Sequence, residues 1–154
     1  MTTYYLDSSA LSKRYAEETG TPWLRGILAP TAGNAIVTAR ITMVELHSAL
    51  ARRLREGSVD AQACLVAVQA FNQHCAVEYR FVELELNVVA LARDLLDRHP
   101  LRPYDAVQLA KALRANGALQ AAGLPPLLFL SADDRLITAA VPEGLATDNP
   151  NSHP

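Results

Sequence analysis

Apolar residues recur along this chain in two rhythms. Short, nearly unbroken runs occur at "TYYLD", "NAIVTA", "RFVEL", "PLLFLS" and "GLATD", each bounded by turn residues or charge, and these predict strands. Between them lie longer stretches with apolar positions three and four apart, the spacing of one helix face. "TMVELHSALARRLREG" carries apolar residues at 43, 46, 50 and 54 and is expected to stop at Gly57. "SSALSKRYAEET" predicts a helix after the first strand, and "TPWLRGILA" a second, with Pro22 in its first turn. "SVDAQACLVAVQAFNQHCAVEY" reads as one long helix, and "NVVALARDLLDRH" as an amphipathic one ending before Pro100. "PYDAVQLAKALRANG" starts with Pro103 in its first turn and is expected to end at Gly117, and "ADDRLITAA" forms a short helix near the end. The tail "TDNPNSHP" looks loose or extended.

Strands that alternate with helices pair in parallel and carry helices on both faces of the sheet. In such open sheets ligands bind beyond the carboxyl ends of the strands. Asp7 and the pair Asp133–Asp134 follow directly on apolar strands, while Glu45 and Asp105 lie early in helices. The fold class therefore offers a place where four acidic positions can converge.

Each acid also has a purely structural explanation. Asp7 can cap the helix it precedes. Glu45, flanked by Met43, Val44 and Leu46, can sit at an edge bonded to Arg40, Arg52 or Arg53. Asp105 complements the positive end of its helix dipole. With Ser131 as N-cap, Asp134 occupies the third helical position of a capping-box variant, leaving Asp133 free to point elsewhere. Gathered at one sheet edge, the acids change meaning. Two carboxylates about 4 Å apart repel by roughly 4 kcal/mol at an effective dielectric of 20, so a cluster needs protons or a cation. An all-oxygen donor set without clustered Cys or His selects Mg²⁺ or Mn²⁺. The matching chemistry is phosphodiester hydrolysis.

Composition narrows the classes further. A chain of 154 residues, 50% hydrophobic, suits one compact domain. Its net charge of −2 gives no global attraction to nucleic acid, so any polyanion contact needs a local patch or a bound cation. Arg52, Arg53 and Arg102 are the candidate phosphate contacts, with a solvated charged face as the plainer account of each. Cys64 and Cys75 stand about 16 Å apart on one helix, beyond disulfide reach, and are expected to be buried free thiols in a reducing compartment. No apolar run approaches the roughly 18 residues of a membrane span, and no signal-peptide pattern opens the chain, so a cytoplasmic protein is expected.

Four segments in order, "YYLDSSAL", "ITMVELHSALARR", "LRPYDAVQLAKAL" and "FLSADDRLITAA", resemble the PIN-domain ribonucleases, and more specifically the VapC-type toxins of toxin–antitoxin pairs. The resemblance implies a three-layer α/β/α sandwich around a mostly parallel sheet. It implies a single PIN-like nuclease domain over 1–148, with 149–154 as a short C-terminal tail. It places the acidic site on Asp7, Glu45, Asp105 and Asp133, holding Mg²⁺ or Mn²⁺, with Asp134 as the alternative to Asp133. Ser9 and Ser131 match supporting hydroxyl positions. RNA as substrate, a small cognate antitoxin and a homodimer follow from the same resemblance. Competing classes fit less well. Ser9 stands where a haloacid-dehalogenase-like enzyme needs a second Asp, and no G-x-S-x-G elbow exists. His47 lies about 200° around the helix from Glu45, and His74, His99 and His153 are expected to be unclustered surface residues. A binding module that kept the fold without catalysis is the alternative function.

Overall fold

The computed structural model describes residues 1–154. Strands β1 (Thr3–Leu6), β2 (Ala35–Ala39), β3 (Tyr79–Val82), β4 (Leu128–Leu130) and β5 (Ala146–Asp148) form one sheet in the order β3-β2-β1-β4-β5. Every pairing is parallel, with Leu6 opposite Thr38 on one side and Leu130 on the other. The helices are α1 (Ser8–Leu11), α2 (Thr21–Ile27), α3 (Thr42–Arg55), α4 (Ala61–Val77), α5 (Leu86–Arg98), α6 (Pro103–Ala121) and α7 (Asp134–Ala140). None is long and apolar enough to cross a membrane.

Strand alternation creates two cores. Tyr5 and Phe129 point to the face covered by α5, α6 and α7, where Leu95, Leu109 and Leu136 are buried. Their neighbours Leu6 and Leu130 point the other way, against Leu11, Leu24, Leu46 and Phe71 from α1 to α4. The result is the α/β/α sandwich expected from the sequence. The chain lays β2 and β3 on one side of β1, then crosses to place β4 and β5 on the other. The carboxyl ends of β1 and β4 therefore border a topological switch point, where parallel sheets leave a crevice.

Several expectations need correction. The helix expected over residues 8–19 is only α1 plus a 3-10 turn at Ser12–Arg14. Thr21 Oγ1 lies 2.9 Å from both the Lys13 and Ala16 carbonyl oxygens and shares its one hydrogen between them, engaging groups that a longer helix would have used itself. Helix α6 runs through Gly117 to Ala121, and the positive-φ glycine lies beyond it at Gly123 (φ 69°). A glycine inside a helix costs only about 1 kcal/mol, which flanking packing overrides. Cys64 and Cys75 are free but half-buried rather than buried, and burial pushes the Cys75 thiol up to about 11.

The tail is docked, not loose. Pro150 is buried in a 3-10 turn, and the His153 ring stacks on Trp23 at 3.9 Å with the planes 3° apart. Gly20 (φ +84°) makes room for it, because a Cβ there would lie 2.0 Å from the Pro150 carbonyl oxygen. His153 also meets Asp148 at 3.0 Å, His99 meets Glu143 at 2.6 Å, and His74 Nδ1 meets the Tyr15 hydroxyl at 2.7 Å. His74, His99 and His153, expected as unclustered surface residues, are therefore each half-buried and bonded to a neighbour.

Candidate active site

Asp7 ends β1 and is 3% exposed. Its Oδ1 caps α1 by accepting the Ala10 N–H at 2.8 Å, so the capping explanation holds. The carboxylate does more than cap. Ser9 Oγ lies 2.8 Å from both its oxygens, and Ser131 Oγ donates to Oδ2 at 2.7 Å. Ser9 Oγ in turn accepts the Ala132 N–H at 2.9 Å, so the ends of β1 and β4 are stitched together through this one group. Burial raises the Asp7 pKa to about 6, against the pull of Ala10, Ser131 and Ser9, with Glu45 adding to the rise.

Glu45 projects from the first turn of α3 and has no arginine partner. Arg40 pairs with Glu83, and Arg53 with Glu18. Glu45 Oε2 instead accepts from Ser8 Oγ at 2.7 Å, and Oε1 from Gln108 Nε2 at 3.0 Å. Gln108 is 1% exposed and makes two further bonds, donating to Thr42 Oγ1 at 2.9 Å and accepting from the Tyr5 hydroxyl at 2.9 Å. Because a carboxylate only accepts, Glu45 fixes which end of the Gln108 amide faces it.

Asp105 lies in the first turn of α6 and is half-buried. Desolvation raises its pKa, the Asp133 charge adds to that, and Arg102 and Arg135 oppose it. Asp133, not Ser131, is the N-cap of α7, accepting the Arg135 N–H at 2.9 Å. Partial burial pushes the Asp133 carboxyl up, but the backbone and guanidinium of Arg135 win and hold it below the usual range. Ser131 accepts the Asp133 N–H at 3.1 Å while donating to Asp7. Asp134 faces away, exposed, and accepts from Asn149 Nδ2 at 2.7 Å.

One cleft of about 460 Å³ is lined by Asp7, Glu45, Asp105 and Asp133, with Ser9, Arg52, Arg53 and Arg102 also on its wall. Ser131 stands behind it and Asp134 outside it. The donor set is oxygen only, which suits a hard divalent ion. No three acidic, histidine or cysteine side chains are arranged to hold one ion directly between them.

A family model described as the PIN domain matches residues 4–141. The chain belongs to the PIN domain family. Three solved structures share the fold of this PIN domain. VapBC2 from Rickettsia felis, bound to a DNA fragment from its promoter, is 11% identical with a TM-score of 0.64, covering 96% of this chain and 98% of its own. PAE2754 from Pyrobaculum aerophilum is 18% identical with a TM-score of 0.60 (98% and 85% covered). The sarcin-ricin loop cleaving toxin VapC20 from Mycobacterium tuberculosis is 15% identical with a TM-score of 0.60 (88% and 94% covered). No curated protein matches the chain in sequence.

Sequence reasoning missed Ser8, Lys13 and Gln108 as members of this region. A signal for Gln108 was present, since it interrupts an apolar stripe between Ala106, Leu109 and Ala110, where a polar side chain must find partners. Ser8 and Lys13 carry no comparable signal.

Proposed function

We propose that the protein is a metal-dependent endoribonuclease that hydrolyses RNA phosphodiester bonds, acting as the cytoplasmic toxin of a toxin–antitoxin pair. The observation that carries this reading is the lining of one cleft by Asp7, Glu45, Asp105 and Asp133, which come from four separate stretches of the chain. Membership of the PIN domain family and the likeness to VapC20 support it.

Among Asp7, Glu45, Asp105 and Asp133, one or two carboxylates would bind Mg²⁺ or Mn²⁺ directly and the others through its waters, since Mg²⁺ uses one or two carboxylates and keeps several waters. When bound, such an ion neutralises phosphate charge and lowers the pKa of an attacking water. The chain's own groups keep the acids in position. Ser9 and Ser131 hold both oxygens of Asp7, and Ser8 and Gln108 clamp Glu45. Arg135 keeps Asp133 ionised. Arg52, Arg53 and Arg102 on the cleft wall are the phosphate contacts, because phosphate binding positions a strand through such cations. Asp133 rather than Asp134 is the fourth acid, since Asp134 is spent on Asn149.

A small cognate antitoxin covers the cleft in this reading, and the VapBC2 likeness supports such a partner. A homodimer is supported by the exposed apolar side chains Val44, Leu84 and Tyr104, which line one surface groove. The absence of a direct three-ligand arrangement favours one other reading, a binding module without catalysis.

Incubating the protein with mixed RNA, with Mg²⁺ or Mn²⁺ and with EDTA, decides between them. Metal-requiring cleavage that is lost in Asp7→Asn supports the nuclease. RNA retention without cleavage supports the binding module.

A further inference from the structure

The cleft has two electrically opposite ends. Asp7, Glu45, Asp105 and Asp133 with Arg102 make one, and Lys13, Arg52 and Arg53 with Glu18 line the other. The second end is a built structure. Thr21 Oγ1 ties the loop between α1 and α2, sharing its one hydrogen between the Lys13 and Ala16 carbonyls and accepting the Glu18 N–H at 3.0 Å. Within that loop Lys13 is only 5% exposed. Its Nζ donates to Glu18 Oε2 at 3.0 Å and to the Thr19 carbonyl at 3.1 Å. An ammonium has three N–H bonds, so one donor is left over. Arg53 reaches the same Glu18 from α3.

One carboxylate is thus shared between two cations, with the exposed Arg52 beside them, and the local charge is positive. Desolvation, with Arg53 nearby, lowers the Lys13 pKa, a strain that an incoming anion relieves. Glu45 and Arg53 lie on the same helix with their backbones about 12 Å apart along its axis.

We propose that Lys13 and Arg53, which share Glu18 as a competing carboxylate, form a subsite for an RNA phosphate neighbouring the one at the acidic end. This rests on the nuclease reading above. It makes the protein selective for strands with more than one phosphate, because a dinucleoside monophosphate cannot occupy both ends.

The test measures binding of labelled single-stranded RNA by fluorescence anisotropy across a salt series, in an Asp7→Asn background so that the strand stays intact. Lys13→Met and Arg53→Gln should each weaken binding and reduce the slope of log K against log salt by about 0.7, and together by about 1.4. Glu18→Gln should strengthen binding and steepen the slope, because it removes the competing carboxylate. A dinucleoside monophosphate, which can occupy only one end at a time, should bind more weakly than a strand with several phosphates. The subsite is refuted if the slopes do not change, or if Glu18→Gln weakens binding as the other two do, which is the mark of a purely structural ion pair. Arg53 is partly exposed, so Arg53→Gln keeps the test available if Lys13→Met does not fold. Metal-dependent cleavage by the unmodified protein, run in parallel, separates the two proposals. Cleavage with unchanged slopes removes the subsite alone, whereas altered slopes without cleavage remove the nuclease and leave a nucleic-acid contact.

Discussion

Asp7→Asn separates stability from function in this fold. The Asp7 carboxyl is almost wholly buried, and burial lifts its pKa from 3.8 to about 6. An acid whose pKa is higher folded than unfolded favours the folded state when protonated. Its contribution is fully present below pH 3.8, declines as pH rises, and is lost above about 6. The interval corresponds to about 3 kcal/mol between acid and neutral pH, at 1.36 kcal/mol per tenfold step. Asparagine is a neutral isostere and escapes that cost. It still gives up part of the bonding to Ser9 and Ser131, worth about 1 kcal/mol. Urea unfolding in EDTA should therefore find Asp7→Asn more stable than the unmodified protein by about 2 kcal/mol at pH 7.5. The advantage should disappear by pH 4. Saturating Mg²⁺ should stabilise the unmodified protein and narrow the gap, since a ligand that binds only the folded state adds to its stability. Metal affinity should fall as pH drops through about 6, because protons compete for the same oxygens. An Asp7→Asn protein that is less stable at pH 7.5 in EDTA, or whose advantage does not vary with pH, would falsify the account of a carboxylate held ionised at a cost.

Asp133→Asn should reduce metal-dependent RNA cleavage at least tenfold in an initial-rate assay, while Asp134→Asn stays within about twofold, because only Asp133 lines the cleft. Gln108→Ala should cost about 1–3 kcal/mol in urea unfolding by stranding the Tyr5 hydroxyl, and Gln108→Ala/Tyr5→Phe should recover part of that loss; simple additivity would refute the link. Gly20→Ala should cost about 2 kcal/mol or more through its positive φ and the clash with Pro150, and should shift the emission of the single tryptophan as His153 leaves Trp23; an unchanged spectrum would count against tail docking.

What the sequence could announce was whatever depends on neighbours along the chain. β1 and β4 are apolar runs closed by Asp7 and Ser131, and α3 carries a clear helical stripe, so the strands, the sandwich and the acidic positions could all be read in advance. The stopping point of α6 could not. Asn116 lies beside Gly117, and its side chain accepts the Leu127 N–H at 3.0 Å, a tertiary bond with no local signature. The same holds for the tail, whose polar letters suit a loop until Trp23 and Gly20 supply a surface for it. Within the site the divide is sharper. Carboxylates stand out because charge beside apolar runs is costly and demands a reason. Their supports stand out less: Ser9 and Ser131 are read only through the family resemblance, since Ser131 reaches Asp7 across 124 positions, and Gln108 shows only as a polar interruption whose partner Tyr5 is 103 positions away. Those long-range bonds decide what the acids can do. With the local bonds from Ala10 and Ser9 they hold both oxygens of Asp7, and Ser8 and Gln108 hold those of Glu45, before any ligand arrives, so the chain, and not an incoming ion, organises its own negative charge.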